Sequence, residues 1–282
     1  MEIPFLGVEA IRDGLLTRGQ LRWNFDDVLP GVYLPRGHAK SLSLNATATW
    51  LWTGRRGVIG GRAAAALHGA RWVPDDVPIE VITEHTRRRK GVIVREERIA
   101  DDEIVEVDGI AVTSLARTAL DLGRYLDRDD AVASLDALAA ATGITFDDVL
   151  PLLDRYRKAR GVHRARVALA LMDGGAQSPR ETWLRLLLID AGLPPPRTQI
   201  RVTDGANTAF IDMGYDEPKV GLDYEGAQHA DDRDQYVHDI GRSELVDGRG
   251  WIDIKVVAEH GRAFILHRVD EAFTRRGWRP RP

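Results

Sequence analysis

The chain has 282 residues, 44% of them hydrophobic and 29% charged, with a formal net charge of −4 and no cysteine. That length predicts two domains or one large one, and the missing cysteines exclude disulfides, thiolate metal sites and cysteine nucleophiles and fit a reducing cytoplasm. No apolar run approaches the ~20 residues of a membrane span, and the opening MEIPFLGVEAIRDGLLTRGQ lacks the basic-then-apolar order of a signal peptide, so a cytoplasmic protein without membrane contact is expected.

Charge is unevenly spread. Basic residues gather between 151 and 180 (Arg155, Arg157, Lys158, Arg160, Arg164, Arg166, Arg180), where only Asp154 and Asp173 oppose them, and again in the tail from Arg268 to Pro282. Acids gather at Asp101–Asp108 and Asp127–Asp148. Such asymmetry gives either one basic face on an acidic protein or ordinary solvated helix faces.

In chain order, LTRGQLR predicts a helix capped by Thr17, and PGVYLPRG a short strand between turn residues. Together they suggest a winged-helix remnant over residues 1–50, with WNFDDV as a poor recognition helix whose two acids lie where phosphate would be. IGGRAAAALHGA predicts a short small-residue helix. PIEVIT, GVIVREE and IVEVDGIAVTS predict strands, the last turning at Asp108-Gly109. SLARTALDLGRYL, DDAVASLDALAAAT and FDDVLPLLDRYRKA predict helices, with Ser114 and the Asp129-Asp130 pair as caps. A domain boundary is expected at Gly174-Gly175-Ala176. Beyond it SPRETWLRLLLIDAGL predicts an amphipathic helix with Leu184, Leu187, Leu188 and Ala191 on one stripe. QIRV, AFIDMGY and KVGLDYE then predict three strands, DDRDQYVHDIGRSELVDGRG a helix, WIDIKVVA a strand and AFILHRVDEAFTRRGW a last helix. There is no P-loop, no GxGxxG and no recognisable Ser/His/Asp triad.

In VGLDYEGAQH, strand alternation sets Asp223 and Glu225 on one face. Asp212 lies on the preceding strand, so a hairpin would bring three carboxylates to one end of the sheet. Their repulsion and desolvation require an offsetting cation, for which Mg²⁺ or Mn²⁺ suits an all-oxygen donor set. Such a site activates water and polarises a phosphodiester. The bland reading is a half-exposed strand with two solvated acids.

The ordered set SPRETWLRLLLIDAGL, FIDMGY, VGLDYEGAQH and DRDQYVHDIGRSELVDGRGW, over about residues 177–280, resembles bacterial domains related to very-short-patch-repair endonucleases of the PD-(D/E)xK superfamily. That resemblance implies an αβββαβ core and an α/β (α+β) fold of restriction-endonuclease type. It also implies metal binding by Asp212, Asp223 and Glu225, with Glu181 and His229 assisting hydrolysis. In the family's third-strand signature, V-x-V-E-Y-D-G-x-Q-H, the two acids stand in the opposite order, and the superfamily's lysine position holds Glu225. Lys255 on the later strand either supplies the cation or points away. Glu181 also completes the capping signature Ser178-Pro179-Arg180-Glu181. Asp239 and Arg242 fall at family positions, read as helix–sheet pairing or backbone contacts.

Residues 10–125, through LLTRGQLR, GVYLPRG, GRAAAALHGA, PIEVIT and DGIAVTSLARTALDLGR, resemble AbiEi-type antitoxins and transcriptional regulators. This implies a winged helix-turn-helix followed by an α/β domain, and a nucleic-acid or toxin–antitoxin protein partner. Arg88, Arg89 and Lys90 in the RRRK run, together with Arg242, are candidate nucleic-acid contacts; the run reads equally as a solvated hairpin tip. The expected division is thus 1–174, AbiEi-like, and 175–282, nuclease-like. The leading expectation is a Mg²⁺-dependent endonuclease, with DNA as the favoured substrate. The alternative keeps the nuclease fold as a scaffold in a DNA-binding regulator or antitoxin-like protein, and a third reading works by protein contact alone.

Overall fold

The computed structural model describes residues 4–39, 41–84, 88–226 and 233–279, with side chains omitted for 233–239. The chain divides into two compact units, Met1–Gly174 and Gly175–Pro282.

The first unit opens with β1 (Phe5–Leu6), α1 (Gly7–Arg12), α2 (Arg18–Asn24), β2 (Phe25–Leu29) and β3 (Val32–Pro35), its strands in the order β1-β3-β2. Thr17 caps α2 as expected. Its hydroxyl accepts the Gln20 N–H, and the Gln20 side chain accepts the Thr17 N–H, which closes a capping box. WNFDDV is not a recognition helix. Past Asn24 the chain turns extended, because Phe25 packs edge-on against Phe5 with ring centroids 5.0 Å apart and pairs with Pro35 across the β2–β3 hairpin. Asp26 and Asp27 therefore sit on the wing strand, and α2 is the exposed helix of the pair.

Sequence patterning gives no signal for α3 (Leu42–Trp52), whose interior is small and apolar and whose amino end is tied by Ser41 and by Asp75 Oδ1, which accepts the Leu42 N–H at 2.9 Å. Next come β4 (Val58–Gly60), α4 (Gly61–Leu67), β5 (Ile79–Ile82), β6 (Val92–Arg95), β7 (Ile104–Val107) and β8 (Ile110–Thr113). They form a five-stranded mixed sheet in the order β6-β5-β4-β8-β7. Asp108 and Gly109, at φ 50° and 78°, make the two-residue turn between β7 and β8. Ile59, Val81 and Val112 are fully buried under α3 and α4.

The helices α5 (Leu115–Tyr125), α6 (Arg128–Thr142), α7 (Phe146–Arg155) and α8 (Val162–Ala170) complete the unit. Ser114 caps α5 as expected; Asp129 and Asp130 lie in the first turn of α6, behind its cap residue Asp127. α5 is buried almost all round, so its charged residues must pair internally. Arg117, wholly buried, donates to Asp121 (2.8 Å), Glu103 (2.6 Å) and Glu97 (3.0 Å). Arg124 donates to Asp121 (3.0 Å) and Glu97 (2.9 Å). α8 crosses α5 so closely that a Cβ on Gly123 would stand 2.7 Å from Ala165 Cα.

The second unit runs α9 (Pro179–Asp190), β9 (Arg197–Thr203), β10 (Thr208–Tyr215), β11 (Val220–Tyr224), α10 (Arg233–Gly248), β12 (Ile252–Val256) and α11 (Arg262–Arg275). Helix, three strands, helix, strand is the expected αβββαβ order, and the molecule as a whole is an α+β fold. The sheet order is β12-β11-β10-β9, antiparallel except for the parallel β11–β12 pair. Leu184, Leu187 and Leu188 of the predicted α9 stripe meet Met213, Leu222, Ile254 and Phe273 in one core cluster, while Ala191 lies exposed at the helix end. A second cluster joins Ile200, Val202, Ala209 and Ile211 to Val246 of α10. Among the described residues no helix is long and apolar enough to cross a membrane.

Candidate functional site

The carboxylates meet where β10 and β11 stop pairing. Their register, Met213 opposite Leu222, would next set Asp212 opposite Asp223. There side chains replace the ladder. The Asp212 N–H donates to Asp223 Oδ1 at 2.8 Å, and the Tyr224 N–H donates to Asp212 Oδ2 at 2.8 Å.

The parallel pairing of β12 then puts Lys255 beside Asp223, and its side chain points into the cluster. Lys255 Nζ is 2.7 Å from Asp223 Oδ2, 2.8 Å from Asp253 Oδ2 and 3.2 Å from Glu225 Oε1. α10 brings a second cation. Arg242 Nη2 donates to Asp223 Oδ2 and to the Phe210 carbonyl, each at 2.5 Å. Glu225 is half exposed and has Lys255 as its ionic partner. Asp253 is absent from the sequence-derived candidates, although I-D-I-K alternation places it on the Lys255 face. It is buried and ion-paired by distance, yet neither of its oxygens accepts an aligned hydrogen bond.

Glu181 performs the capping role. Its Oε2 accepts the Gln177 N–H at 2.8 Å, its Oε1 accepts the Ser178 hydroxyl at 2.9 Å, and Ser178 Oγ accepts the Glu181 N–H at 3.2 Å. It also belongs electrostatically to the cluster. Burial, then the nearby Asp223, raises the Glu181 carboxyl above its ordinary range.

Asp212 is pushed up to about 7, first by burial and then by the charges of Asp223 and Glu181. Asp253 is pushed up to about 6 by burial and by Asp223. Burial also opposes the charge on Asp223, but the Lys255 hydrogen bond, the Asp212 N–H and Arg242 overcome it and hold this carboxyl below its usual range. Asp223 is thus the ionised member, and Asp212 and Asp253 are the ones that retain protons most readily.

In this structure the charge of Asp223 is met by two protein cations, Lys255 and Arg242. Both oxygens of Asp223 and both of Glu181 already accept hydrogen bonds, and the Lys255 ammonium is shared by Asp223, Asp253 and Glu225. Among the described residues no group of three or more His, Asp or Glu side chains is arranged to hold a metal ion. His229 lies outside the described residues.

The remaining candidates are apart from this centre. Arg88, Arg89 and Lys90 are exposed just before β6 in the first unit. Arg242 is committed to Asp223, and also lines a cavity of about 820 Å³ between α10 and the β9–β10 hairpin. In the winged segment, Arg18, Gln20, Arg22 and Trp23 of α2 are exposed, Trp23 by 71%.

Fold and centre together describe a two-unit α+β protein with a carboxylate cluster whose ionised member, Asp223, is paired with Lys255 and Arg242. Residues 57–172, from the start of β4 to just past α8, match the family model for the AbiEi antitoxin C-terminal domain. Two uncharacterised proteins of Mycobacterium tuberculosis, from strains CDC 1551 and H37Rv, are each 27% identical to the chain over 200 residues, covering 71% of it and 73% of themselves. No solved structure matches. The AbiEi resemblance seen in GRAAAALHGA, PIEVIT and DGIAVTSLARTALDLGR therefore has the support of the family match, and the resemblance to very-short-patch-repair endonucleases has no such support.

Proposed function

We propose that the chain is an antitoxin-like regulator that contacts DNA and a cognate toxin protein, its carboxy-terminal unit serving as a scaffold. The observation that carries this reading is the match of residues 57–172 to an antitoxin domain. α2 is the natural DNA element. It stands next to a β2–β3 wing and presents Arg18 and Arg22 outward, the residue type that holds phosphate and reads guanine edges. The Asp223 centre favours a structural role, because two protein cations satisfy its charge without a metal.

The Mg²⁺-endonuclease reading draws on one observation, the raised Asp212 carboxyl, which a divalent cation would relieve. In it a metal competes with Lys255 for Asp223 and Glu225.

One set of samples separates the two. Purified protein and Asp212→Asn are titrated with Mg²⁺ and Mn²⁺ by calorimetry and incubated with plasmid. In parallel the wild type is co-expressed with the protein encoded by the adjacent gene and tested for duplex binding. The regulator reading expects no metal heat at millimolar concentrations, intact plasmid, a co-purifying partner and a retarded duplex. Nicking that disappears in Asp212→Asn would overturn it, as would failure to bind either duplex or partner.

A further inference from the structure

The arginines between 151 and 180 find a partial explanation in the first unit. Arg155 is taken up by Asp102 and Glu103. Arg160 and Arg164 are not paired with any carboxylate among the described residues. Instead they wall a cavity of about 400 Å³, whose lining is Arg95, Arg124, Tyr125, Arg160, Gly161 and Arg164. Four arginines thus line one small space.

We propose that this cavity is a binding site for a phosphoryl group. Its inner wall is preorganised. Arg95 lies over the Tyr125 ring at 3.4 Å and Arg124 over the same ring at 4.8 Å. Glu80 holds Arg95 through a 2.7 Å bond to Nε, and Glu97 holds Arg124 at 2.9 Å through both terminal nitrogens. Tyr125 also donates to Glu97. These two glutamates fix the guanidiniums and offset two of the four charges.

The outer wall carries the surplus. Arg164 Nη2 donates to the carbonyls of Arg124 and Leu126, each at 2.9 Å, which leaves Nε and Nη1 for a ligand. The Arg160 backbone carbonyl accepts the Arg124 Nε–H at 3.0 Å, so the loop is anchored while its guanidinium stays free among the described residues. Gly161 between them sits at φ 82°, and a Cβ there would meet the Arg124 carbonyl at 2.6 Å. The loop is pressed onto the end of α5 in a left-handed conformation that favours glycine.

Gly161 is also the cap residue of α8 and has no side chain to satisfy the first-turn N–H groups. Arg95 and Arg124 have carboxylate partners, whereas Arg160 and Arg164 beside them have none among the described residues, and such clustered cations repel unless an anion is added. A phosphoryl group, with three acceptor oxygens and up to two charges, matches forked donors on several sides. The volume lies within the usual range of small-ligand pockets, about 300–1,000 Å³.

The phosphoryl group has two candidate sources, a small phosphate compound or the backbone of a nucleic acid. The test uses the full chain. Inorganic phosphate is titrated by calorimetry at constant low ionic strength into the wild type, Arg160→Ala/Arg164→Ala and the charge-matched control Arg157→Ala/Arg166→Ala. A short DNA duplex is then bound with and without phosphate. Saturable binding is expected, weakened about tenfold or more in the pocket variant and less than about twofold in the control.

If the pocket variant binds duplex normally, the ligand is a small phosphate compound. If duplex binding falls with it and phosphate competes, the ligand is nucleic-acid backbone. Absence of saturable phosphate binding by the wild type, or equal weakening in both variants, overturns the site. Arg160→Ala alone, which removes an exposed side chain, gives the same readout should the double variant fail to fold; normal phosphate affinity in that variant would then overturn the site.

Discussion

Asp212 shows most directly what the carboxylate cluster costs. A free aspartate loses its proton near 3.8, whereas this one holds it to about 7 because burial, Asp223 and Glu181 oppose its charge. Between those values the native state binds the extra proton, so the group's unfavourable contribution grows as pH rises from about 4 to about 7 and is constant above. A tenfold difference in proton affinity between folded and unfolded chain corresponds to about 1.4 kcal/mol; with partial exposure and screening by Arg242 taken into account, the cost at pH 8 is ~1–3 kcal/mol. Asn at this position keeps an acceptor for the Tyr224 N–H and carries no charge. Asp212→Asn should therefore be more stable than the wild type at pH 8, by that ~1–3 kcal/mol in urea unfolding, and nearly equal to it at pH 4. A variant less stable at pH 8 would mean that Asp212 is ionised and held by a partner. At this scale the sequence is half legible. Alternation and hairpin proximity bring Asp212 and Asp223 together, as the structure does. The same alternation in I-D-I-K is the signal that finds Asp253 and aims Lys255 inward. Arg242 is placed by family position alone, since no periodicity tells which cation a helix will lean over a strand end.

Elements are legible where one physical signal dominates. The three leucines of the α9 stripe, the Thr17 cap and the Asp108-Gly109 turn each follow from local chemistry, and each appears in the structure; Ala191 falls outside the buried stripe because it is the residue that ends the helix. α3 is hidden because Leu42–Trp52 mixes small, β-branched and aromatic residues with no clean stripe, and its amino end is tied by a distant aspartate. The Phe25–Leu29 strand is hidden because Phe25 is drawn to Phe5, a contact between residues 20 apart in sequence. The α5–α8 crossing is equally nonlocal and gives a sharp test. With Gly123 facing the Ala165 backbone at a hypothetical Cβ distance of 2.7 Å, Gly123→Val must push α8 away from α5. The backbone entropy gain from replacing a helical glycine is worth only ~0.5–1 kcal/mol, whereas overpacking of this kind costs ~1–3 kcal/mol. Net destabilisation is expected in chemical denaturation. Stabilisation would show that the two helices separate freely and that the close crossing contributes nothing.

At the scale of the molecule, the charge of −4 repels a polyanion, so the duplex binding proposed above requires local cation groups. α2 supplies Arg18 and Arg22. The tip before β6 supplies Arg88, Arg89 and Lys90, all exposed. Other arginines are already engaged: Arg55 makes two 2.7 Å bonds to Glu9, and Arg36 lies 3.4 Å from Asp26. Each phosphate neutralised contributes about −0.9 to the slope of log K against log salt on B-DNA. Contact through α2 with help from the tip therefore predicts a shallow slope, roughly −2 to −4, in anisotropy titrations across salt concentration. Arg18→Ala/Arg22→Ala should reduce that slope by about 2 units, because those two contacts disappear, while leaving the fold intact at two exposed positions. A slope steeper than about −6 would require a basic surface beyond these residues. A slope unchanged in the double variant would move the DNA contact off α2, and the winged segment would then be left with only the packing role that Leu21 and Val32 already give it.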